Sequence, residues 1–167
     1  MNKAFFLDRD GVINKKPKPH DYVKTFNEFE LLPTTIDAIK LINSKGYKVI
    51  VITNQRGIAL NLVSSATVNN IHKSLDNVLA ENGIVIDSYY ICPHNHEHKC
   101  YCRKPNPGML FKAILEHNIN ITKSFLIGDS DTDILCGELV GIKSVKIKSN
   151  ASLLNAVRKL LKENDGV

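Results

Sequence analysis

Residues 5–14 read FFLDRDGVIN, an apolar run that stops at two aspartates two positions apart and is followed by a glycine. A short run rich in aromatic and branched residues predicts a buried β-strand. Two carboxylates at its exit repel each other unless a cation or a set of donors compensates. The stretch reads either as a polar turn leaving a strand or as a site that uses Asp8 and Asp10 together. The residues that follow the other apolar runs decide between these readings.

Those runs are AFFL at 4–7, KVIVI at 48–52, SYYI at 88–91, SFLI at 124–127 and SVKI at 144–147. Helical patterns lie between and after them, over 34–46, 64–83, 106–118, 130–141 and 151–164. Ile36, Ile39 and Ile42 mark the apolar face of the first. Val68, Ile71, Leu75, Val78 and Leu79 mark that of the second, and Pro107 suits the first turn of the third. Strands alternating with helices imply right-handed crossovers. The fold class is therefore α/β: a Rossmann-like, doubly wound, mostly parallel sheet with helices on both faces, expected as one domain over residues 1–167.

Composition narrows the function. The chain has 167 residues, 43% of them apolar and 23% charged, which is ordinary for a globular protein. Its apolar runs are far shorter than the ~20 residues a membrane span needs, and the N-terminal stretch has no signal-peptide pattern. A cytoplasmic protein that spans no membrane is expected. The net charge of +5 comes from scattered lysines, with clusters only at KKPKP and RKLLKEN, and there is no tryptophan. That pattern fits a small anionic substrate better than nucleic acid, and the chain is expected to work as a monomer.

In a doubly wound sheet, ligands bind beyond the carboxyl ends of the strands. The residues placed there are Asp8-Arg9-Asp10-Gly11, Thr53-Asn54-Gln55, Cys92-Pro93-His94 and Gly128-Asp129-Ser130-Asp131. Asp8, Asp10 and Asp129 together suit Mg²⁺, which takes a few carboxylates plus water and substrate phosphate. A carboxylate can also act as nucleophile in phosphoryl transfer, with a second one exchanging protons. Thr53 and Asn54 offer hydrogen bonds to phosphoryl oxygens, and Lys104 offers a point charge.

A second cluster lies in CPHNHEHKCYC, where Cys92, Cys100 and Cys102 stand beside three histidines. Three cysteines and one histidine make a closed set for structural Zn²⁺. His94, His96 and His98 all compete for the histidine position. A zinc ion there would order a polar loop and place Arg103 and Lys104 over the rim.

The segments DRDGVIN, TNQ, RKPNPGM and GDSDTD resemble, in order, the four motifs of haloacid dehalogenase superfamily phosphatases. FFLDRDGVIN, VITNQRGIA, YYICPH, CYCRKPNPGML and FLIGDS are similar to its zinc-loop branch, which holds heptose bisphosphate and histidinol-phosphate phosphatases. The resemblance implies that Asp8 is the nucleophile and a Mg²⁺ ligand, and that Asp129 is another ligand. It implies that Asp10 is the general acid/base and lends its backbone carbonyl to Mg²⁺, while Thr53 and Lys104 steady the phosphoryl group. Arg103 then meets the rest of a sugar phosphate, with Asn54, Gln55, Arg56 and Tyr22 as further substrate contacts. The zinc ligands become Cys92, His94, Cys100 and Cys102. The 42 residues between Asp10 and Thr53 leave no room for an inserted cap, so the site is expected either to stay open to larger substrates or to be closed by loops 15–22 and 56–63.

The expected reaction is Mg²⁺-dependent removal of the 7-phosphate of a heptose 1,7-bisphosphate through an aspartyl-phosphate, in surface-polysaccharide synthesis. Histidinol phosphate is the alternative substrate, and a non-catalytic zinc scaffold is the alternative of another class. Arg56, the Leu60-Asn61 pair, Ser130 and the long NKKPKPHDY segment depart from the heptose pattern at substrate-facing positions. Asp131 and Asp133 read as helix N-terminal charges, with Asp133 also bonding nearby backbone. Cys136 reads as core on a face shared with Leu135 and Leu139, and His20, His72 and His117 as surface or packing residues.

Overall fold

The structure, a computed structural model, describes residues 1–164. Its strands are β1 (Ala4–Leu7), β2 (Lys48–Asn54), β3 (Ser88–Cys92), β4 (Phe125–Gly128) and β5 (Lys143–Lys146). Its helices are α1 (Thr35–Ser44), α2 (Ser65–Glu81), α3 (Gly108–Glu116), α4 (Asp131–Val140) and α5 (Leu153–Asn164). The strands form one sheet in the order β3-β2-β1-β4-β5, and every pairing is parallel. Strand order reverses at β1, between β2 on one side and β4 on the other. That is where such a sheet opens a crevice.

Both faces of the central strands are apolar because helices cover both. Phe5, Leu7, Val49, Val51, Phe125 and Ile127 pack with Ile39 and Ile42 of α1, Leu75 and Leu79 of α2, and Val157 and Leu160 of α5. Ala4, Phe6, Ile50, Ile52 and Leu126 pack with Met109, Leu110 and Ala113 of α3 and Cys136 of α4. The period of two along each strand thus feeds two separate cores.

Two local expectations need correction. Pro107 precedes α3 rather than opening its first turn, and its carbonyl accepts the first helical bond from Phe111 N at 2.9 Å. Cys136 is buried, but Leu135 and Leu139 are exposed. The buried face of α4 is Asp133, Cys136 and Gly137, so the two leucines point away from the sheet.

Candidate active site

β1 and β4 run side by side with Leu7 opposite Ile127, and Asp8 N donates to Ile127 O at 3.0 Å. Asp8 and Asp129 therefore leave adjacent strands at the point where strand order reverses. Together with Asp133 they bring carboxylate oxygens within 4.8 Å of one another. An open cleft of about 320 Å³ lies over them, lined also by Asp10, Lys16, Lys18, Tyr22, Asn54, Arg103, Lys104 and Ser130.

Lys104 is buried at the centre of this group. Its ammonium donates to Asp8 Oδ1 at 2.8 Å and to Ile52 O at 2.8 Å, and pairs with Asp133 Oδ1 at 2.6 Å. Burial opposes the charged form of Lys104, but Asp8 and Asp133 outweigh it and hold the ammonium above the usual lysine range. Burial pushes the Asp8 carboxyl up to about 7; Lys104 opposes this and Asp133 adds to it. Asp133 behaves differently. Burial would raise it, but Lys104 and the Ser130 bonds hold it below the ordinary range.

The local chemistry of α4 explains where Asp133 sits. Ser130 caps the helix, and both its N–H and its hydroxyl donate to Asp133 Oδ2, at 3.1 and 2.6 Å. One oxygen of Asp133 thus closes the helix start while the other meets Lys104. A side chain at Gly128 would collide with Asp133, so the glycine lets helix and strand approach. Asp131 is an exposed helix-start charge paired with Lys146.

Asp10 lines the cleft but is held from behind. Arg9, fully buried, donates to both of its oxygens, with Asn14 Nδ2 and Gln55 Nε2 adding bonds at 2.9 and 3.0 Å. Burial would raise the Asp10 carboxyl, but the Arg9 charge and these donors hold it below the usual range. Arg9 also reaches Gln55 Oε1 and His72 Nε2. His72 must accept there, so its proton sits on Nδ1. It is buried and stacked on Tyr89 at 4.2 Å, and burial followed by the Arg9 charge pushes it down to about 3.

Arg9 and His72 had no place in the site read from sequence. An arginine between two aspartates looks exposed, and only the fold shows that α2 covers it.

The remaining expected substrate contacts divide. Tyr22 and Arg103 line the cleft, with Arg103 braced on His94 O and His96 Nε2 at 3.1 and 3.2 Å. Gln55 does not reach the cleft; its amide ties Asp10 to Thr53 Oγ1, which is itself buried. Asn54 lines the cleft, but its amide exchanges two 3.1 Å bonds with the Lys104 backbone and so docks the cysteine loop onto β2. Arg56 is also absent from the lining. The ring of Tyr22 packs closely on Gly57, so loops 15–22 and 56–63 touch beside the site.

In the cysteine loop, the sulfurs of Cys92, Cys100 and Cys102 and Nδ1 of His94 lie within 4.8 Å of one another, with Sγ–Sγ separations of 3.3 to 3.6 Å. None forms a disulfide. The edge of a tetrahedron with ligand distances of ~2.3 Å is close to this spacing. His98 Nδ1 instead accepts from Asn95 N, and His96 faces Arg103. Both rivals of His94 are engaged elsewhere.

The sequence profile described as "Polynucleotide kinase 3 phosphatase" matches residues 3–157. The chain is 39% identical over 150 residues to the D-glycero-beta-D-manno-heptose-1,7-bisphosphate 7-phosphatase of Pasteurella multocida, covering 86% of this chain and 80% of that one. It is 38% identical over 132 residues to the alpha-heptose enzyme of Mycobacterium bovis, covering 78% and 69%. Among solved structures it is similar to the D,D-heptose 1,7-bisphosphate phosphatase of B. bronchiseptica complexed with magnesium and phosphate. That match has a TM-score of 0.81 and 29% identity, over 96% of this chain and 99% of that one.

Proposed function

The chain belongs to the polynucleotide kinase 3 phosphatase family, within the haloacid dehalogenase-type phosphatases, and on that premise we propose that it removes the 7-phosphate of a D-glycero-D-manno-heptose 1,7-bisphosphate. The observation that carries this reading is the meeting of Asp8, Asp129 and Lys104 in one cleft at the strand-order reversal, with Asp133 buried against Lys104. Relatives of both anomeric types match over most of their length. Those matches favour a heptose bisphosphate over histidinol phosphate.

The donor set fits Mg²⁺: Asp129 Oδ1 is buried without a partner, beside a second carboxylate that a buried lysine only half neutralises. Asp8, Asp129 and the backbone carbonyl of Asp10 are the groups we assign to it, and the bound ion would neutralise phosphoryl charge. Asp8 attacks phosphorus while Lys104 holds a phosphoryl oxygen and Thr53 steadies another. The P–O bond to the sugar breaks, and the leaving oxygen takes a proton from Asp10. Asp10 is a carboxylate in the free chain, and an adjoining phosphate dianion favours its protonated form. Asp10 then removes a proton from the water that attacks the phosphoryl-aspartate, which releases phosphate and restores Asp8.

The Cys92, His94, Cys100 and Cys102 cluster is assigned to structural Zn²⁺. The acidic cleft and the cysteine loop both lie on one parallel sheet, which supports one phosphatase domain.

The test is a panel of both heptose bisphosphate anomers, histidinol phosphate, a generic alkyl phosphate and an oligonucleotide 3′-phosphate. Product positions are read by phosphorus NMR. A heptose bisphosphate, cleaved at C7, should have the highest kcat/KM. Equal kcat/KM across the panel, or cleavage at C1, contradicts the reading.

A further inference from the structure

Asp129 is unevenly bonded. Its side chain is 1% exposed, and both of its donors sit on one oxygen: Lys16 Nζ at 2.7 Å and Ser149 Oγ at 2.5 Å, each to Oδ2. Oδ1 is buried and has no partner. The donors come from two loops that are fastened together. Lys16 N donates to Asn150 Oδ1 at 2.8 Å, and Asn150 N donates to Gly11 O at 2.8 Å. Gly11 has φ +95°, and a side chain there would run into Asp129 Oδ2, so the space beside this oxygen depends on glycine.

We propose that Ser149 and Lys16 are positioning residues that make Asp129 a one-oxygen ligand and so bias the cation site toward Mg²⁺ over Ca²⁺. The inference rests on the reading of the acidic cleft as a divalent-cation site. Mg²⁺ demands near-octahedral geometry with short single-oxygen contacts, whereas Ca²⁺ accepts two-oxygen carboxylates and a looser shell. With Oδ2 capped by an ammonium and a hydroxyl, only Oδ1 is free to ligate. Freeing Oδ2 would let Asp129 turn and offer both oxygens. Groups that orient a ligand in this way commonly change metal affinity by ~10–100-fold.

The experiment is calorimetric titration of the full chain with MgCl₂ and with CaCl₂, without substrate, in wild type, Ser149→Ala, Lys16→Met, the double variant, Ser149→Thr and, as a control, Asp129→Asn. Removing the Lys16 charge affects both divalent ions alike, so the ratio Kd(Mg²⁺)/Kd(Ca²⁺) isolates geometry. That ratio should rise about 10-fold in the double variant and less in each single one, and Ser149→Thr should stay near wild type. Both ions binding the double variant with an unchanged ratio overturns the inference alone. If wild type binds neither ion, or Asp129→Asn binds as wild type does, the cation-site reading falls and the inference falls with it.

Discussion

Lys104 Nζ stands 2.8 Å from Asp8 Oδ1, joining the end of β1 to the loop after β3 across 96 positions of sequence. The lysine is also the only ammonium that meets Asp133 among the described residues. One buried cation therefore compensates two buried carboxylates, one at the reacting centre and one at the start of α4.

Replacing Lys104 by Met should leave both carboxylates uncompensated. Removing one partner of a buried pair costs about 3–5 kcal/mol, so the urea midpoint of Lys104→Met should fall by that equivalent, with phosphatase activity lost as well. An unchanged midpoint would mean that the three groups do not form the buried cluster described.

Asp8 titrates near neutrality in the metal-free chain because burial pushes it up to about 7. A divalent cation favours the charged carboxylate, so binding must expel the proton wherever Asp8 is protonated. Mg²⁺ binding at pH 7 should release about half a proton, more below that pH, and almost none at pH 9. Heats of binding in buffers of different ionisation enthalpy give this number directly.

His72 makes folding stability depend on pH. Its folded value is pushed down to about 3 from 6.5, so between those values the unfolded chain binds the extra proton. Stability from this group is intact above pH 6.5 and is lost as pH falls toward 3, by at most about 1.4 kcal/mol per pH unit. Denaturant titrations of wild type and His72→Gln at pH 7 and pH 5 should show the larger pH-dependent loss in wild type.

The cysteine loop should hold one zinc ion and fold around it. Cys102→Ser should lose the metal by elemental analysis and lower Tm by roughly 5–10 °C, the equivalent of a few kcal/mol for a chain of this size. Because Arg103 and Lys104 follow directly, activity should fall in parallel. Normal melting with no bound metal in wild type would remove the structural role.

Much of this was legible before the fold was known. The exits of β1 and β4 carry Asp8 and Asp129, and a parallel sheet follows from the alternation of strand and helix patterns, while the fold shows that β1 and β4 are neighbours. The four positions of the cysteine cluster were legible by residue type; the resemblance favoured His94, and the bonds that His96 and His98 make elsewhere agree with it. Sequence does not reveal which way a polar strand-end residue faces. Gln55 and Arg56 were expected at the substrate, but Gln55 turns inward and Arg56 is absent from the cleft lining; Asn54 lines the cleft while its amide is spent on the Lys104 backbone. Arg9, His72 and Ser149 were missed because their roles arise from tertiary neighbours, with no local pattern to mark them.

The most direct measurement is acid-quenched turnover of a heptose bisphosphate, followed by mass analysis of the peptide that contains Asp8, in wild type and in Asp8→Asn. The wild-type peptide should carry one phosphoryl group during turnover, and the variant should carry none and release no phosphate. Phosphate release by Asp8→Asn at the wild-type rate, or a phosphoryl group on any other residue, would contradict Asp8 as the nucleophile.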